Sequence, residues 1–221
     1  MKPAIQLDFD GTITEEDISY MLLDAFASGE WREHLKDYES GKITVGTFNR
    51  RVFSMVKASR EEMLQMVLSS PAVRVRPGFK DFIDYCQDKG YYVEITSNGL
   101  RFYIEAILEH EGIHGIVIHA AENVFRDGRL EVSYIGPDGR EIDAEFKAAY
   151  TRRLKEHGYY VIYAGNGKSD IDSARIADHV FATEDLLLQC RREGLSCTAF
   201  KDFHDILAGM KTLDSICDMA G

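Results

Sequence analysis

The amino-acid sequence predicts an α/β fold: a Rossmann-like parallel sheet core with an inserted helical cap domain. Short apolar strands alternate with helical patterns over most of the chain, which implies a parallel sheet covered on both faces. One long stretch after the first strand carries helical spacing alone. Three polar clusters stand directly after strand patterns, at the carboxyl ends where open parallel sheets bind ligands.

Ala4 to Phe9 reads as a short buried strand, apolar except at Gln6 and Asp8, and it stops at Asp10-Gly11. From Thr14 to about Val75 only helices are predicted. Ile18, Met21, Leu22 and Ala25 repeat at helical spacing, then Phe48, Val52, Met55 and Val56, then Met63, Met66 and Val67. Pro77-Gly78 restarts the alternation. A helix with Phe79, Phe82, Ile83 and Cys86 on one face ends at Lys89-Gly90, and the strand Tyr91 to Thr96 follows. Next come a helix from about Leu100 and a strand near Ile116 to His119. A hairpin then pairs Leu130 to Ile135 with a return near Glu141, turning at Pro137-Asp138-Gly139. A helix carries Phe146, Ala149, Tyr150 and Leu154, and Tyr159 to Ala164 is a strongly apolar strand. Val180-Phe181, a helix near Leu186, Thr198 to Phe200 and a last helix complete the chain. The predicted division is core at residues 1–13 and 77–221 and cap at residues 14–76, without internal repeats or low-complexity segments.

Bulk properties set wider limits. A chain of 221 residues can bury a substantial core, and 45% apolar with 29% charged residues is ordinary for a soluble globular protein. The formal net charge of −11 argues against a nucleic-acid binder, which must gather Lys and Arg against phosphates. It leaves room for a small phosphorylated metabolite, because one lysine and one divalent cation reverse the potential inside a pocket. Cys86, Cys190, Cys197 and Cys217 show no C-x-x-C spacing and are expected as thiols rather than a zinc site or a disulfide framework. The strand pattern starts almost at the N-terminus, leaving no room for a signal peptide, and no apolar stretch reaches transmembrane length. A cytoplasmic location without membrane attachment is expected.

The chemistry concentrates in the three clusters. The first strand ends in Asp8-Phe9-Asp10-Gly11-Thr12, the second in Thr96-Ser97-Asn98-Gly99, and a later one in Gly165-Asn166-Gly167-Lys168-Ser169-Asp170. Two carboxylates two residues apart at a strand end repel each other unless a cation lies between them, and hard ions such as Mg²⁺ take oxygen ligands of this kind. Each cluster has a structural explanation when taken alone: a turn, a helix cap, and a strand-to-helix turn with Ser169 as its cap. Their order and their common place at strand ends favour one reactive crevice.

On these motifs the chain resembles the haloacid dehalogenase (HAD) superfamily phosphatases. Asp8-x-Asp10-Gly11-Thr12 matches their first motif, Ser97 the second, Lys147 in Glu145-Phe146-Lys147 the third, and Gly165-Asn166-Gly167-x-x-Asp170 the fourth. The cap between the first two motifs is similar to that of phosphoserine phosphatase. The strings Ser97 to Tyr103, Val180-Phe181-Ala182 and Phe200-Lys201-Asp202-Phe203 are similar to the subgroup of 2-hydroxy-3-keto-5-methylthiopentenyl-1-phosphate phosphatases. The resemblance implies a Mg²⁺-dependent phosphomonoesterase acting through an aspartyl-phosphate. Asp8 is the expected nucleophile, and Asp10 is placed to protonate the leaving oxygen and then activate water. The resemblance further implies that Ser97 and the Asn98 amide hold phosphate oxygens, that Lys147 neutralises charge, and that Asp8, Asp10, Asn166 and Asp170 form the metal site. Asn166 departs from the Asp common in the family. It is expected to ligate through its amide oxygen, while Asp170 supports it or ligates in its own right. Asp17 is a candidate for a substrate amine or else part of a Thr14-x-x-Asp17 helix cap, and Arg51, or Arg50 beside it, for a substrate carboxylate. Alternatives within reach of the sequence are a phosphotransferase or mutase of the same fold, or a sensor that binds a phosphorylated ligand without turnover.

Overall fold

The computed structural model describes residues 2–126 and 129–219, and from residue 214 onward the backbone alone. The strands are β1 (Pro3–Leu7), β2 (Tyr92–Leu100), β3 (Val117–Arg126), β4 (Arg129–Ser133), β5 (Tyr160–Gly165), β6 (His179–Ala182) and β7 (Thr198–Ala199). Together they form one sheet in the order β4-β3-β2-β1-β5-β6-β7, parallel except where β3 meets β4. The chain leaves β1 toward β2 and β3, then returns past β1 to build β5, β6 and β7. The strand order therefore reverses at β1. Its carboxyl end, flanked by those of β2 and β5, opens the crevice where such sheets bind ligands.

Helices α1 (Ile18–Phe26), α2 (Trp31–Glu39), α3 (Val45–Phe53) and α4 (Arg60–Ser69) occupy the stretch after β1. Serine and glutamate form a capping box at α4, with the Ser59 hydroxyl accepting from Glu62 N–H and the Glu62 carboxylate from Ser59 N–H. The chain enters and leaves this region through one short antiparallel contact. Thr14 bridges Val75, Glu15 N–H donates to Arg74 O at 2.9 Å, and Arg76 N–H to Ile13 O at 2.7 Å. The remaining helices, α5 (Phe79–Asp88), α6 (Arg101–His110), α7 (Phe146–Glu156), the short α8 (Ile171–Ala174), α9 (Glu184–Glu193) and α10 (Phe203–Met219), flank the sheet. Buried Leu22, Trp31, Phe48 and Phe53 of the first four helices belong to the same contiguous apolar cluster as Ile5, Leu7 and Phe79. Among the described residues, no helix is long and apolar enough to cross a membrane.

The periodicity placed the helix faces well. Phe79, Phe82, Ile83 and Cys86 are all buried, and α5 gives way at Lys89 to Gly90, whose φ is +65°. Three local expectations are corrected. First, Leu130–Ser133 pairs back onto β3 rather than forward, and β3 runs to Arg126 instead of ending near His119. Asp127-Gly128 between the two runs is a hairpin signal in the sequence, but these residues lie outside those described. The turn at Pro137-Asp138-Gly139 exists, closed by Gly139 N–H to Gly136 O, yet it joins only the single bridge Ile135–Glu141. Second, Asp17 alone caps α1, accepting from Tyr20 N–H at 2.8 Å. Thr14 instead donates to Glu16 O. Third, Asp170 rather than Ser169 holds the turn after β5. Cys86 and Cys190 are buried thiols and Cys197 is partly buried, while the Cys217 side chain lies outside those described.

Candidate active site

Asp8 leaves the carboxyl end of β1 with its side chain buried, and its Oδ1 lies 2.6 Å from Lys147 Nζ. Lys147 comes from the first turn of α7, after Glu145 in a left-handed conformation (φ +54°). Its ammonium also meets Asp170 Oδ1 at 2.6 Å, so one lysine is shared by two carboxylates. Asp170 is fully buried and fully engaged. Oδ1 accepts from Lys147 and from the Tyr163 hydroxyl at 2.6 Å, and Oδ2 accepts from the N–H groups of Asn166 and Gly167 at 3.1 and 2.8 Å. Beneath Lys147, Gln6 ties β1 to β2 and α7: its amide donates to Thr96 Oγ1 and Lys147 O, and its oxygen accepts from Thr151.

Asp10, two residues beyond Asp8, is held from both sides. Oδ1 accepts from Ile18 N–H at 3.1 Å, and Oδ2 from the Tyr103 hydroxyl at 2.5 Å. Tyr103 in turn meets Ser19 Oγ of α1 at 2.8 Å. Two glycines are required here by close approach. A Cβ on Gly99 would collide with the Tyr103 hydroxyl and Asp10 Oδ2, and one on Gly11, whose φ is +74°, would collide with the Asn166 amide. Ser97 and Asn98 do not cap a helix. They lie within β2, where its register against β3 shifts between Thr96 and Leu100. Ser97 Oγ accepts from Gly99 N–H, and the buried Asn98 Oδ1 has no hydrogen-bond partner among the described residues. Asn98 O accepts from Asn49 of α3 and from the Tyr134 hydroxyl.

Asp8, Asp10, Ser19, Asn49, Ser97, Asn98, Lys147 and Asn166 line a cavity of about 330 Å³, together with Asp17, Tyr20, Leu35, Tyr38, Glu39, Val45, Phe48, Lys168, Glu184 and Asp185. Asp17 caps α1 and also lines the cavity. Arg51 is not brought to the site: it is exposed and is not among the lining residues. Arg50 does not reach it either, being drawn into an ion pair with Asp143 and lying near Glu141. Lys168 reaches across the mouth to Glu39 O of α2 at 2.5 Å. Sequence reasoning passed over Tyr103, Ser19, Asn49, Tyr134 and Glu184.

Electrostatics follow from burial. Burial pushes the Asp8 carboxyl up to about 7, Asp170 adds to the rise, and Lys147 opposes it. Burial lifts Asp10 well above the usual carboxylate range, with Asp17 adding to it, and lifts Asp17 to about 6. Burial works against the charge on Lys147, but Asp170 and Asp8 outweigh it and hold the lysine protonated. Six carboxylates and two lysines line the cavity, so a phosphate dianion would be repelled without an added cation. Among the described residues no group of three or more His, Cys, Asp or Glu side chains is arranged to hold a metal. A site here would use oxygen donors of mixed kind: the carboxylates of the Asp8-x-Asp10 pair and the Asn166 amide oxygen, which Thr12 Oγ1 places 3.1 Å from itself while also facing Asp8 Oδ2 at 3.4 Å. All are hard oxygens suited to Mg²⁺.

Comparisons with known proteins bear on the family and the fold. The model of the haloacid dehalogenase-like hydrolases matches residues 5–175. The chain is 27% identical over 224 residues to a 2-hydroxy-3-keto-5-methylthiopentenyl-1-phosphate phosphatase of Bacillus velezensis, covering 97% of this chain and 92% of that protein. It is 32% identical over 212 residues to the bifunctional enzyme MtnB/MtnX of Bacillus licheniformis, covering 93% of this chain but spanning only 48% of that protein. Among solved structures, a phospho-aspartyl intermediate analogue of phosphoserine phosphatase superposes with a TM-score of 0.67 at 20% identity, covering 94% of this chain and 98% of the other. A phosphoserine phosphatase from T. onnurineus superposes with a TM-score of 0.69 at 16% identity, covering 96% and 95%. At such identities these two likenesses bear on the fold.

Proposed function

The chain belongs to the haloacid dehalogenase-like hydrolases, and on that premise we propose that it is a Mg²⁺-dependent phosphomonoesterase working through an aspartyl-phosphate on Asp8. The observation that carries this reading is the Asp8–Lys147–Asp170 arrangement at the end of the central strand, with Asp10 beside it under a closed-in cavity. Residues 14–76 act as the cap over it.

In the first half-reaction an Asp8 carboxylate oxygen forms a bond to phosphorus while the ester P–O bond breaks. Asp10 gives its proton to the departing alkoxide, releasing the alcohol. In the second, Asp10 takes a proton from water, the hydroxide oxygen bonds to phosphorus, and the acyl-phosphate bond breaks to free phosphate and Asp8. Lys147 offsets the charge gathered on Asp8 and the phosphoryl oxygens, and Ser97 with the Asn98 amide faces those oxygens. Asp8, Asp10 and Asn166 would hold a Mg²⁺ ion, which would supply the remaining charge neutralisation. Asp170 has its lone pairs taken by four donors, which favours a supporting role for it over direct ligation.

The substrate is a small phosphorylated metabolite. The cavity size sits at the low end of ligand pockets, and Tyr20, Leu35, Tyr38, Val45 and Phe48 give it an apolar wall. No arginine is available in the lining to meet a carboxylate, which speaks against phosphoserine. A neutral chain of the kind that the similar methylthiopentenyl phosphatases are named for suits the wall better. The direct test is Mg²⁺-supported release of phosphate from p-nitrophenyl phosphate, followed by the methylthiopentenyl phosphate against phosphoserine. Absence of any hydrolysis would sink the enzymatic reading and leave a phosphoester sensor in its place.

Tyr103 fixes Asp10 by a short hydrogen bond, so its removal bears on protonation of the leaving group in the first half-reaction and on activation of water in the second. Tyr103→Phe is expected to lower kcat/KM for alkyl phosphates roughly tenfold while barely touching kcat/KM for p-nitrophenyl phosphate, because that ratio reports only as far as release of the leaving group and nitrophenolate leaves without a proton. Equal losses on both substrates would show that Tyr103 does not act through the acid.

A further inference from the structure

The departure at Asn166 has a partner in space. Asn166 Nδ2 donates to Glu184 Oε2 at 3.0 Å, while Asn166 Oδ1 lies on the Thr12 and Asp8 side. An amide has one end that accepts and one that donates, and only the accepting end can face a cation. The Glu184 contact selects that orientation. Glu184 is itself held in place. It opens α9 with φ +47°, a left-handed conformation that a non-glycine residue keeps only when its surroundings require it. On its far side the Arg76 guanidinium lies 3.9 Å from Oε1, and Arg76 is anchored to the carbonyls of Gly11 and Thr12 on the Asp8–Thr12 loop.

We infer that Glu184 is a positioning residue for the cation: it turns the Asn166 amide oxygen toward Asp8 and supplies, one bond further out, the negative charge that asparagine lacks. The inference rests on the Mg²⁺ reading above. Outer partners of metal ligands commonly set affinity by 10–100-fold without touching the ion. Glutamate suits this place because asparagine offers it an N–H. An aspartate at 166 would offer only another carboxylate oxygen, and the contact would become repulsive.

The dependence of the Glu184 contact on the residue at 166 is the test. Mg²⁺ alone is titrated into the full chain by calorimetry, without substrate, and the melting temperature in chelator reports on folding. Glu184→Ala, which loses both orientation and charge, is expected to weaken Mg²⁺ binding at least tenfold. Glu184→Gln, whose side-chain oxygen can still accept from Asn166, should weaken it by a smaller factor. Asn166→Asp should tighten it. In the Asn166→Asp background, Glu184→Ala should weaken binding by a smaller factor than in the native chain, because a carboxylate at 166 presents an oxygen either way up and only the charge of Glu184 is lost. Native affinity for Mg²⁺ in Glu184→Ala, or equal weakening by Glu184→Ala in both backgrounds, overturns the role of Glu184. Failure of the native chain to bind Mg²⁺ would overturn the cation reading itself, so the two failures are told apart. Glu184→Gln keeps the size of a half-exposed side chain, so it remains informative should Glu184→Ala melt lower in chelator.

Discussion

Asp8→Asn should lower kcat by at least about 10⁴ while raising the melting temperature of the metal-free protein by several degrees at pH 8. The loss follows because the substituted amide cannot form the acyl-phosphate, and removal of a nucleophile leaves only positioning and charge effects. The gain follows from the cost of ionising Asp8 in the fold. Burial raises its carboxyl from 3.8 to about 7, which corresponds to roughly 4 kcal/mol against the ionised folded state, and the surviving Lys147–Asp170 pair limits what is lost with it. The sign is set by linkage. A group whose folded value is raised stabilises the fold only while protonated; that contribution is full below about 4 and is lost as the pH climbs through about 7. Asparagine carries no such cost at any pH. The stability difference between variant and native chain should therefore be largest above pH 7 and shrink toward pH 4. Melting curves in chelator at pH 5 and 8, with p-nitrophenyl phosphate hydrolysis at pH 7, check both halves. A variant that melts lower than the native chain at pH 8 would show that Asp8 contributes to stability instead.

The site was legible in the sequence wherever its residues fall at strand ends. Asp8, Ser97 and Asn166 follow apolar runs that can only be buried strands, and the topology of parallel strands brings such ends together. What stayed hidden depends on contacts between distant segments. Tyr103 sits beside Phe102 on α6 and reads as core packing; nothing local shows that its hydroxyl reaches Asp10 across 93 positions. Glu184 reads as an acid at a helix start, a favourable place for any carboxylate, and its left-handed backbone has no sequence signature. Arg50 and Arg51 project from α3 about 100° apart, so spacing could not say which faced inward. The structure gives the answer through Asp143: that residue captures Arg50, its carboxylate also accepts from Thr44 and Thr47, and its carbonyl accepts from Gly46 N–H, all at the start of α3. The overlong β3 was missed for a related reason. Its outer half pairs only with β4 and alternates half-buried with exposed positions, unlike the continuous apolar runs of the central strands.

Lys147→Met should be the most destabilising single change at the site, costing about 3–5 kcal/mol at pH 8 and lowering kcat by roughly 10³. Its ammonium is buried against Asp8 and Asp170 alike. With it gone, two buried carboxylates face each other, and each raises the other's pKa. Asp170 keeps the Tyr163 hydroxyl and two main-chain donors, whereas Asp8 keeps the long contact to Thr12 and one main-chain donor, Phe9 N–H. Asp8 is therefore the group that must take up a proton for the variant to fold. Because its folded value would rise further still, the penalty is avoided in acid and grows as pH climbs through and beyond 7. Adding Asp8→Asn to Lys147→Met should then recover much of the lost stability at pH 8 and none of the activity, because a neutral side chain no longer opposes Asp170. Urea unfolding of the single and double variants at pH 5 and 8 measures this coupling. Losses that are equal at the two pH values, or additive in the double variant, would mean that Lys147 does not neutralise Asp8.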